Sequence, residues 1–569
     1  MRATYSFSNA AIALRWGMPR HSLLCLRRSL AVASLPAALL AAIFPLALHA
    51  QSPEPADVIL RGGTIYDGSE GKPYVGDIAL NGDRIVYVGR SAKLKAARVI
   101  DVKGMIVAPG LIDAHTHPDT YIRSADATKR LNAPWLAQGV STIIIGVDGY
   151  GTPDVKSDID HLIAQKIGTN VAPFVGFGAV RGRVLGQADR APSADELARE
   201  KELVAKGMCD GALGLSTGLF YAPQSFAKTD EVIALAHEAA IRGGMYDTHQ
   251  RDESDYTIGL MNSIKEVLQI GREAGLPVHF AHLKALGVDL QGQAPEVVKL
   301  IDDARAKGQD VTADEYPWLA SGSDLEASLV PRWAIDGGYG AMLKRFDDPA
   351  TMAKIRVEML ENLRRRGGPA SILLTSSGKP WTGKTLEAMA KEWKLEPVDA
   401  AVVIMQGGPS ASPATSASGK GAGIAIASFN MIDSDVELIM KQPWVVTSSD
   451  GSDGHPRQYA TFTQKYKVYV QEKHTITLEN FIRHSTGLTA DMYKLDHRGY
   501  LRPGYFADVA VLDPASYAPR ADYLHPRELS VGVKELFVNG ALAVENSTLT
   551  GAAAGRGLLR PTPVTSCPR

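Results

Sequence analysis

Apolar positions change rhythm twice along this chain. From 57 to 107 they alternate over short runs, Val58–Tyr66, Asp77–Asp83 and Arg84–Gly89, broken by turns. Alternation with a period of two predicts half-buried strands, and Asn81-Gly82-Asp83 between two of them predicts a hairpin. From 106 to about 495 the pattern becomes short apolar runs separated by amphipathic stretches, the signature of βα repeats around a parallel sheet. Alternation returns in Asp508–Asp513 and Val533–Gly540. The two outer zones are expected to join as one small β-sandwich domain, residues 51–107 with 501–569.

The middle zone, 108–500, predicts strands at Ile106–His115, Ser141–Val147, Asn170–Gly176, Gly211–Ser216, Gly244–Thr248, Pro277–Ala281, Asp310–Glu315 and Trp444–Ser448. Helices between them keep a 3.6-residue apolar stripe, as in Asp230–Ala240 and Pro295–Asp302. Strands with helical crossovers in that number predict a (β/α)8 TIM barrel, whose chemistry sits at the C-terminal strand ends. The stretch from Glu315 to Trp444 is far longer than one crossover needs. A helical insertion at about 330–380, placed as a lid, is expected there. Pro409–Gly423, rich in Ser, Gly and Ala, reads as a mobile loop.

Composition adds a compartment. Residues 1–50 contain five arginines and no Lys, Asp or Glu, so a chain of net charge −1 leaves −6 on the rest. A mildly acidic body gives no reason to expect nucleic acid or an anionic membrane as partner. The arginines precede Leu30–Ala50, uncharged and apolar, with a small residue before Gln51. That order predicts a cleaved secretory signal over 1–50 and an exported, periplasmic protein without stable membrane association. Pro36 and Pro45 disfavour a membrane anchor, Met18 is an alternative start, and Arg27-Arg28 loosely matches a twin-arginine signal. After cleavage only Cys209 and Cys567 remain, which is no disulfide framework. Nothing in the sequence supports a bridge between them, so Cys209 is read as buried packing.

The polar residues at the strand ends carry the chemistry. Strand one ends in His115 and His117, whose i, i+2 spacing puts both on one side of a strand. Strand two ends in Asp148, strand five in His249, strand six in His282 and strand eight in Asp450. Four imidazoles and two carboxylates at one face of a barrel suit divalent zinc. His279 falls at the wrong spacing and is assigned to packing.

These motifs carry a resemblance. Pro109-Gly-Leu-Ile-Asp-Ala-His-Thr-His117, Gly211–Tyr221, Thr248-His-Gln-Arg-Asp-Glu253, Ser449-Asp-Gly451 with His455-Pro-Arg457, and the tail Arg498–Asp513 resemble the amidohydrolase superfamily, specifically N-acyl-D-amino-acid deacylases. The resemblance covers almost all of the chain after the signal. It implies zinc-dependent hydrolysis of N-acyl-D-amino acids, small anionic substrates, with one or two zinc ions. His115 and His117 would hold the more exposed metal position and His249 and His282 the buried one. Asp450 would be the catalytic acid/base as well as a ligand. Arg251, Lys284 and Tyr316 would line the site, the latter two gripping the substrate carboxylate. Tyr221 would polarise the scissile carbonyl, and Arg457 would reach the amino-acid side chain.

Two departures from the family pattern stand out. Asp148 occupies a position where these deacylases typically show a cysteine ligand, which leaves one or two metals open. Gly322 stands where the family often has a serine. Strand four carries no lysine, against a carbamylated-lysine centre. Other readings of the same residues are a D-amino-acid dipeptidase, a cyclic-amide or lactone hydrolase, or an exported binding protein without catalysis.

Overall fold

The computed structural model describes residues 55–408, 423–561 and Cys567. The signal expected over 1–50, and all of the expected loop except Gly423, lie outside the described residues. The N-terminal zone folds as strands β1 (Ala56–Ile65), β2 (Tyr74–Asn81), β3 (Arg84–Gly89), β4 (Ala96–Asp101) and β5 (Ile106–Pro109). Gly82 turns between β2 and β3 with φ +54°, the left-handed conformation that the Asn-Gly step favours.

At Gly110 the chain changes partners. The run read as one strand over Ile106–His115 is two: β5 stays with the outer zone, and β6 (Leu111–Asp113) turns inward. A side chain at 110 would stand 2.4 Å from Ser141 Oγ, so only glycine lets the backbone pass from one sheet to the other. An unbroken apolar run conceals such a break.

The inner strands follow as β7 (Val140–Ile145), β8 (Asn170–Pro173), β9 (Val175–Gly176), β10 (Gly214–Gly218), β11 (Met245–His249), β12 (Val278–Phe280) and β13 (Val311–Glu315). After them come β14 (Ala320–Asp324), β15 (Ile372–Leu374), β16 (Ala425–Phe429) and β17 (Val445–Thr447). Every strand expected in the middle zone is present, divided over two parallel sheets: β6-β7-β8, and β9-β10-β11-β12-β13-β17. Phe174 alone separates β8 from β9. At the other seam Asp450 N donates to His115 O and His117 N to Gly451 O, each at 2.9 Å. The strands are buried on both faces, the pattern of a parallel sheet covered by helices.

The insertion is larger than expected and not wholly helical. Between β13 and β17 the antiparallel sheet β14-β16-β15 joins helices Leu325–Leu329, Tyr339–Phe346, Pro349–Arg365, Leu386–Trp393 and Pro397–Met405. These elements enclose an apolar core of their own, including Leu329, Phe346, Met359, Trp381 and Ile404. The strands of that sheet have three to five residues, several of them Ser, Gly or Ala, so no alternation marks them.

β18 (Val509–Leu512), β19 (Val533–Val538), β20 (Ala541–Glu545) and β21 (Thr548–Leu549) complete the outer zone. β18 pairs with β5, so the two terminal zones do join, as a single nine-stranded hydrogen-bonded sheet rather than two. The tail then runs under the inner strands. Val171 N donates to Arg556 O, Leu558 N to Val171 O and Arg560 N to Gly211 O. It ends in a disulfide between Cys567 and Cys209, with Cα atoms 5.7 Å apart across 358 positions. That pairing corrects the reading of Cys209 as packing; a separation of this length leaves no local trace. No helix among the described residues is long and apolar enough to cross a membrane.

The disulfide closes a loop of 358 positions, a constraint typically contributing about 2–4 kcal/mol. Reductant is therefore expected to lower the thermal midpoint of the wild-type protein, and Cys567→Ser to lower it equally and remove the response to reductant. Equal midpoints for oxidised and reduced wild type would contradict a structural role for the bridge.

Candidate metal centre

The strand ends bring four histidines and two aspartates together. His115 and His117 follow β6, Asp148 follows β7, His249 ends β11, His282 follows β12 and Asp450 follows β17. Ligand atoms of His115, His117, Asp148 and Asp450 lie within 4.8 Å of one another, as do those of Asp148, His249 and His282. All are buried except His117, whose side chain is 22% exposed.

The spacings test whether these atoms suit zinc. Two ligands each at ~2.1 Å from one tetrahedral ion stand roughly 3.4 Å apart. His115 Nε2 is 3.3 Å from Asp148 Oδ1, and His117 Nε2 is 3.4 Å from Asp148 Oδ2 and 3.2 Å from Asp450 Oδ1. His249 Nδ1 lies 3.1 Å from His282 Nε2, which is 3.6 Å from Asp148 Oδ1. Neither ring nitrogen of His115 nor Oδ1 of Asp148 makes a hydrogen bond, although each is buried. Orphaned donors of this type in a closed ring are the mark of an ion site. The residues present fit a divalent zinc, and Asp148 faces both groups.

Charge explains the protonation of this ring. Burial opposes charge on His117 and His282, but the carboxylates beside them, Asp148 and Asp450 for the first and Asp450 and Glu253 for the second, push both up to about 10. Burial lowers His249 to about 4. Burial alone would raise the Asp450 carboxyl, yet Arg457, His282 and His117 hold it well below the usual range. A divalent ion would take the place of those protons, since a ligating imidazole is neutral.

A second layer fixes the ligands. Glu253, four residues after His249, stands 3.1 Å from His282 Nδ1 and 3.7 Å from His249 Nε2. Asp314 accepts from His282 N at 2.9 Å and pairs with His279, which also meets Thr312 Oγ1, so His279 is packing as expected. Asp113 accepts from Ser449 N and Trp135 Nε1, tying strand one to strand eight. Carboxylates behind histidine ligands set ring orientation and basicity. Glu253, Asp314 and Asp113 are not among the residues the sequence predicts for the site, although each sits within four residues of a predicted ligand or on a strand end.

The substrate residues fare unevenly. Tyr221 reaches the site, its ring 4.8 Å from that of His249, with burial and then Asp148 keeping its hydroxyl protonated. Tyr316 is buried with its hydroxyl unpartnered, the Arg457 guanidinium 5.1 Å over its ring. Arg457 pairs with Asp450 at 2.7 Å instead of reaching outward. A side chain at Gly322 would fall 2.6 Å from Arg457 Nη2, so the missing serine leaves the space that this guanidinium occupies. Lys284 is engaged by Glu253 at 2.7 Å and His282 Nδ1 at 2.8 Å, behind the ligands. Arg251 does not join the site. Its guanidinium forks onto Glu266 at 2.8 and 2.9 Å, because the helix Leu260–Ala274 presents that carboxylate where the chain leaves β11.

A cavity of about 150 Å³ opens above the ring, lined by His117, Asp148, Tyr150, Tyr221, Asp450 and Arg457 together with Gly322, Ser323 and Asp324 of the insertion. A recess of about 20 Å³ continues past His249 and Lys284 toward Ser321 and Arg366. The insertion thus walls the site.

The amidohydrolase family pattern matches residues 98–544. The chain belongs to that family. It is 31% identical over 535 residues to the D-aminoacylase of Alcaligenes xylosoxydans xylosoxydans, covering 89% of this chain and 98% of that protein. It is also 31% identical over 539 residues to an N-acyl-D-aspartate deacylase of the same organism, covering 90% and 96%. Among solved structures, D-aminoacylase aligns with a TM-score of 0.74 and 30% identity over 89% of this chain and all of that one. The N-acyl-D-glutamate deacylase of Bordetella bronchiseptica, solved with zinc and a phosphonate mimic of the tetrahedral intermediate, aligns equally well at 27% identity. A D-aminoacylase is described with a binuclear metal centre.

Because Asp148 faces both groups, Asp148→Ala is expected to lower zinc content at both positions, and His249→Ala at one. Elemental analysis of purified variants checks this; Asp148→Ala retaining the wild-type metal content would contradict the shared role.

Proposed function

We propose that this protein is an exported, zinc-dependent deacylase that hydrolyses N-acyl-D-amino acids to a carboxylate and a free D-amino acid. The observation that carries the reading is Asp450, an ionised carboxylate at the edge of a six-ligand ring, in a chain related over nearly its full length to deacylases of that class. The inner strands are read as the eight staves of a (β/α)8 barrel over 108–500, with 51–107 and 501–569 as the β-domain. The backbone bonds at the β17–β6 seam support that closure. Export agrees with a disulfide, which persists in oxidising compartments.

His115, His117, Asp148, His249, His282 and Asp450 would hold one or two zinc ions. Bound there, zinc acidifies water toward a pKa of about 7 and polarises a carbonyl. The side chains supply the rest. Asp450, kept ionised by Arg457, accepts the proton of the attacking water. As the new C–O bond forms and the C–N bond breaks, Asp450 returns that proton to the leaving nitrogen. Tyr221, whose hydroxyl stays protonated, donates a hydrogen bond to the oxygen that gains charge. Glu253 and Lys284 hold the His282 and His249 rings in register, and the insertion narrows the cavity against bulk water.

Asp450→Asn removes the proton acceptor while keeping shape. It is expected to lower kcat on N-acetyl-D-leucine by roughly 10²–10⁴-fold with most zinc retained. Turnover within a few fold of wild type would dismiss Asp450 from the mechanism.

A further inference from the structure

The recess beside the ligands contains a cation for which the mechanism above has no use. Arg366 follows the helix Pro349–Arg365 of the insertion and is 2% exposed. Its Nε donates to Tyr256 Oη at 2.7 Å, and Nη1 lies 3.5 Å from Ser321 Oγ. The neighbouring Arg364 and Arg365 pair with Asp289, Glu361 and Asp255. Arg366 has no carboxylate within ion-pair distance among the described residues. Lys284, the other cation on the recess, is already matched by Glu253 at 2.7 Å. Glu253 and Asp450, the carboxylates on the recess, are matched by Lys284 and Arg457, so the charge left without a partner belongs to Arg366.

A second arginine adds to it. The Arg332 guanidinium stands 3.9 Å over the ring of Phe220, which lines the recess, and its Nη2 is buried without a hydrogen bond. Burial pulls Arg332 down to about 10 against the pull of Tyr256 and Asp252, with Arg366 adding to the effect of burial. Arg332 and Arg366 lie 5.9 and 5.8 Å from the Tyr256 ring. A buried cation without counter-charge, as Arg366 is here, is costly, and a ligand can bring the missing charge. His249 and Asp450 also line the recess, so a group seated here belongs to a molecule whose reacting bond lies at the metal ligands. About 20 Å³ admits a water-sized group, such as a carboxylate oxygen. With Nε held by Tyr256, the terminal nitrogens carry the donors left for it.

The geometry points to Arg366, with Ser321 beside it, as the position that receives a carboxylate of the substrate, an inference that rests on the deacylase reading. Lys284, expected from the resemblance to grip that group, is instead committed to Glu253 and His282. Arg366 belongs to the insertion, so substrate selection and closure of the site reside in the same segment. The carboxylate has two sources: the α-carboxylate common to all N-acyl amino acids, or the side chain of an acidic one.

The test compares zinc-loaded wild type, R366Q and R366K on N-acetyl-D-leucine, N-acetyl-D-glutamate and N-acetyl-D-leucinamide, with zinc content and thermal midpoints measured alongside. R366Q is expected to raise KM by about 30-fold or more with little change in kcat, since a buried charge partner is lost. If the α-carboxylate is bound, both acids suffer and the amide does not; if the side-chain carboxylate is bound, glutamate alone suffers. R366K, which keeps the charge, recovers part of the loss. Unchanged KM values overturn the proposal. An equal loss on all three substrates overturns it too, because that is the behaviour of a structural residue. Calorimetric binding of acetyl-D-leucine and its amide to the Asp450→Asn protein, with and without R366Q, needs no turnover. Loss of the acid's advantage there supports Arg366 even if wild type hydrolyses neither acid, an outcome that removes the deacylase reading alone.

Discussion

The structure turns on burying Asp148 and Asp450 among four imidazoles. Each carboxylate would be expensive to desolvate alone, and each is surrounded by nitrogens at 3.2–3.8 Å. The backbone bends to achieve this: Asp148, His282 and Asp450 take φ of +54°, +34° and +47°. Asp and His tolerate that region better than most residues, yet each such position still costs on the order of 1–3 kcal/mol. Strain of this kind persists only where the surroundings over-determine it. Here the strands just before each ligand are locked in parallel ladders.

Around that ring the scaffold works in two directions. Inward, Asp113, Glu253 and Asp314 accept hydrogen bonds that fix strand ends and imidazole planes. Outward, the insertion brings Gly322, Ser323, Asp324 and Arg366 over the mouth and converts an open strand-end face into a small cavity. The opposite end is secured by the tail and its disulfide. The candidate chemistry and this tether thus lie at opposite ends of the same strands.

How much of this was legible follows from how local each signal is. Inner strands are buried on both faces, so their apolar runs stand out, and ligands at their ends are marked by His-x-His spacing or by an Asp after a β-branched run. Those six residues converge as read. The break at Gly110 was hidden because both halves are equally apolar. The insertion was underestimated because β14, β15 and β16 are short and lack alternation. The resemblance places Arg251 at the substrate, but its partner Glu266 lies on the following helix, and that pairing follows from tertiary packing alone. Arg366 and Cys567 escaped for the same reason: what each one meets is set by contacts between segments remote in sequence.

We propose the ring centred on Asp148 as the metal site on which deacylation of N-acyl-D-amino acids depends. The most direct measurement strips the metal from the protein and restores zinc in increments while following hydrolysis of N-acetyl-D-leucine and its L-enantiomer. Turnover of the D-substrate that is absent without metal and returns with zinc, the L-substrate staying inert, is the predicted result. Hydrolysis by the metal-free protein, or none at full zinc occupancy, would contradict it.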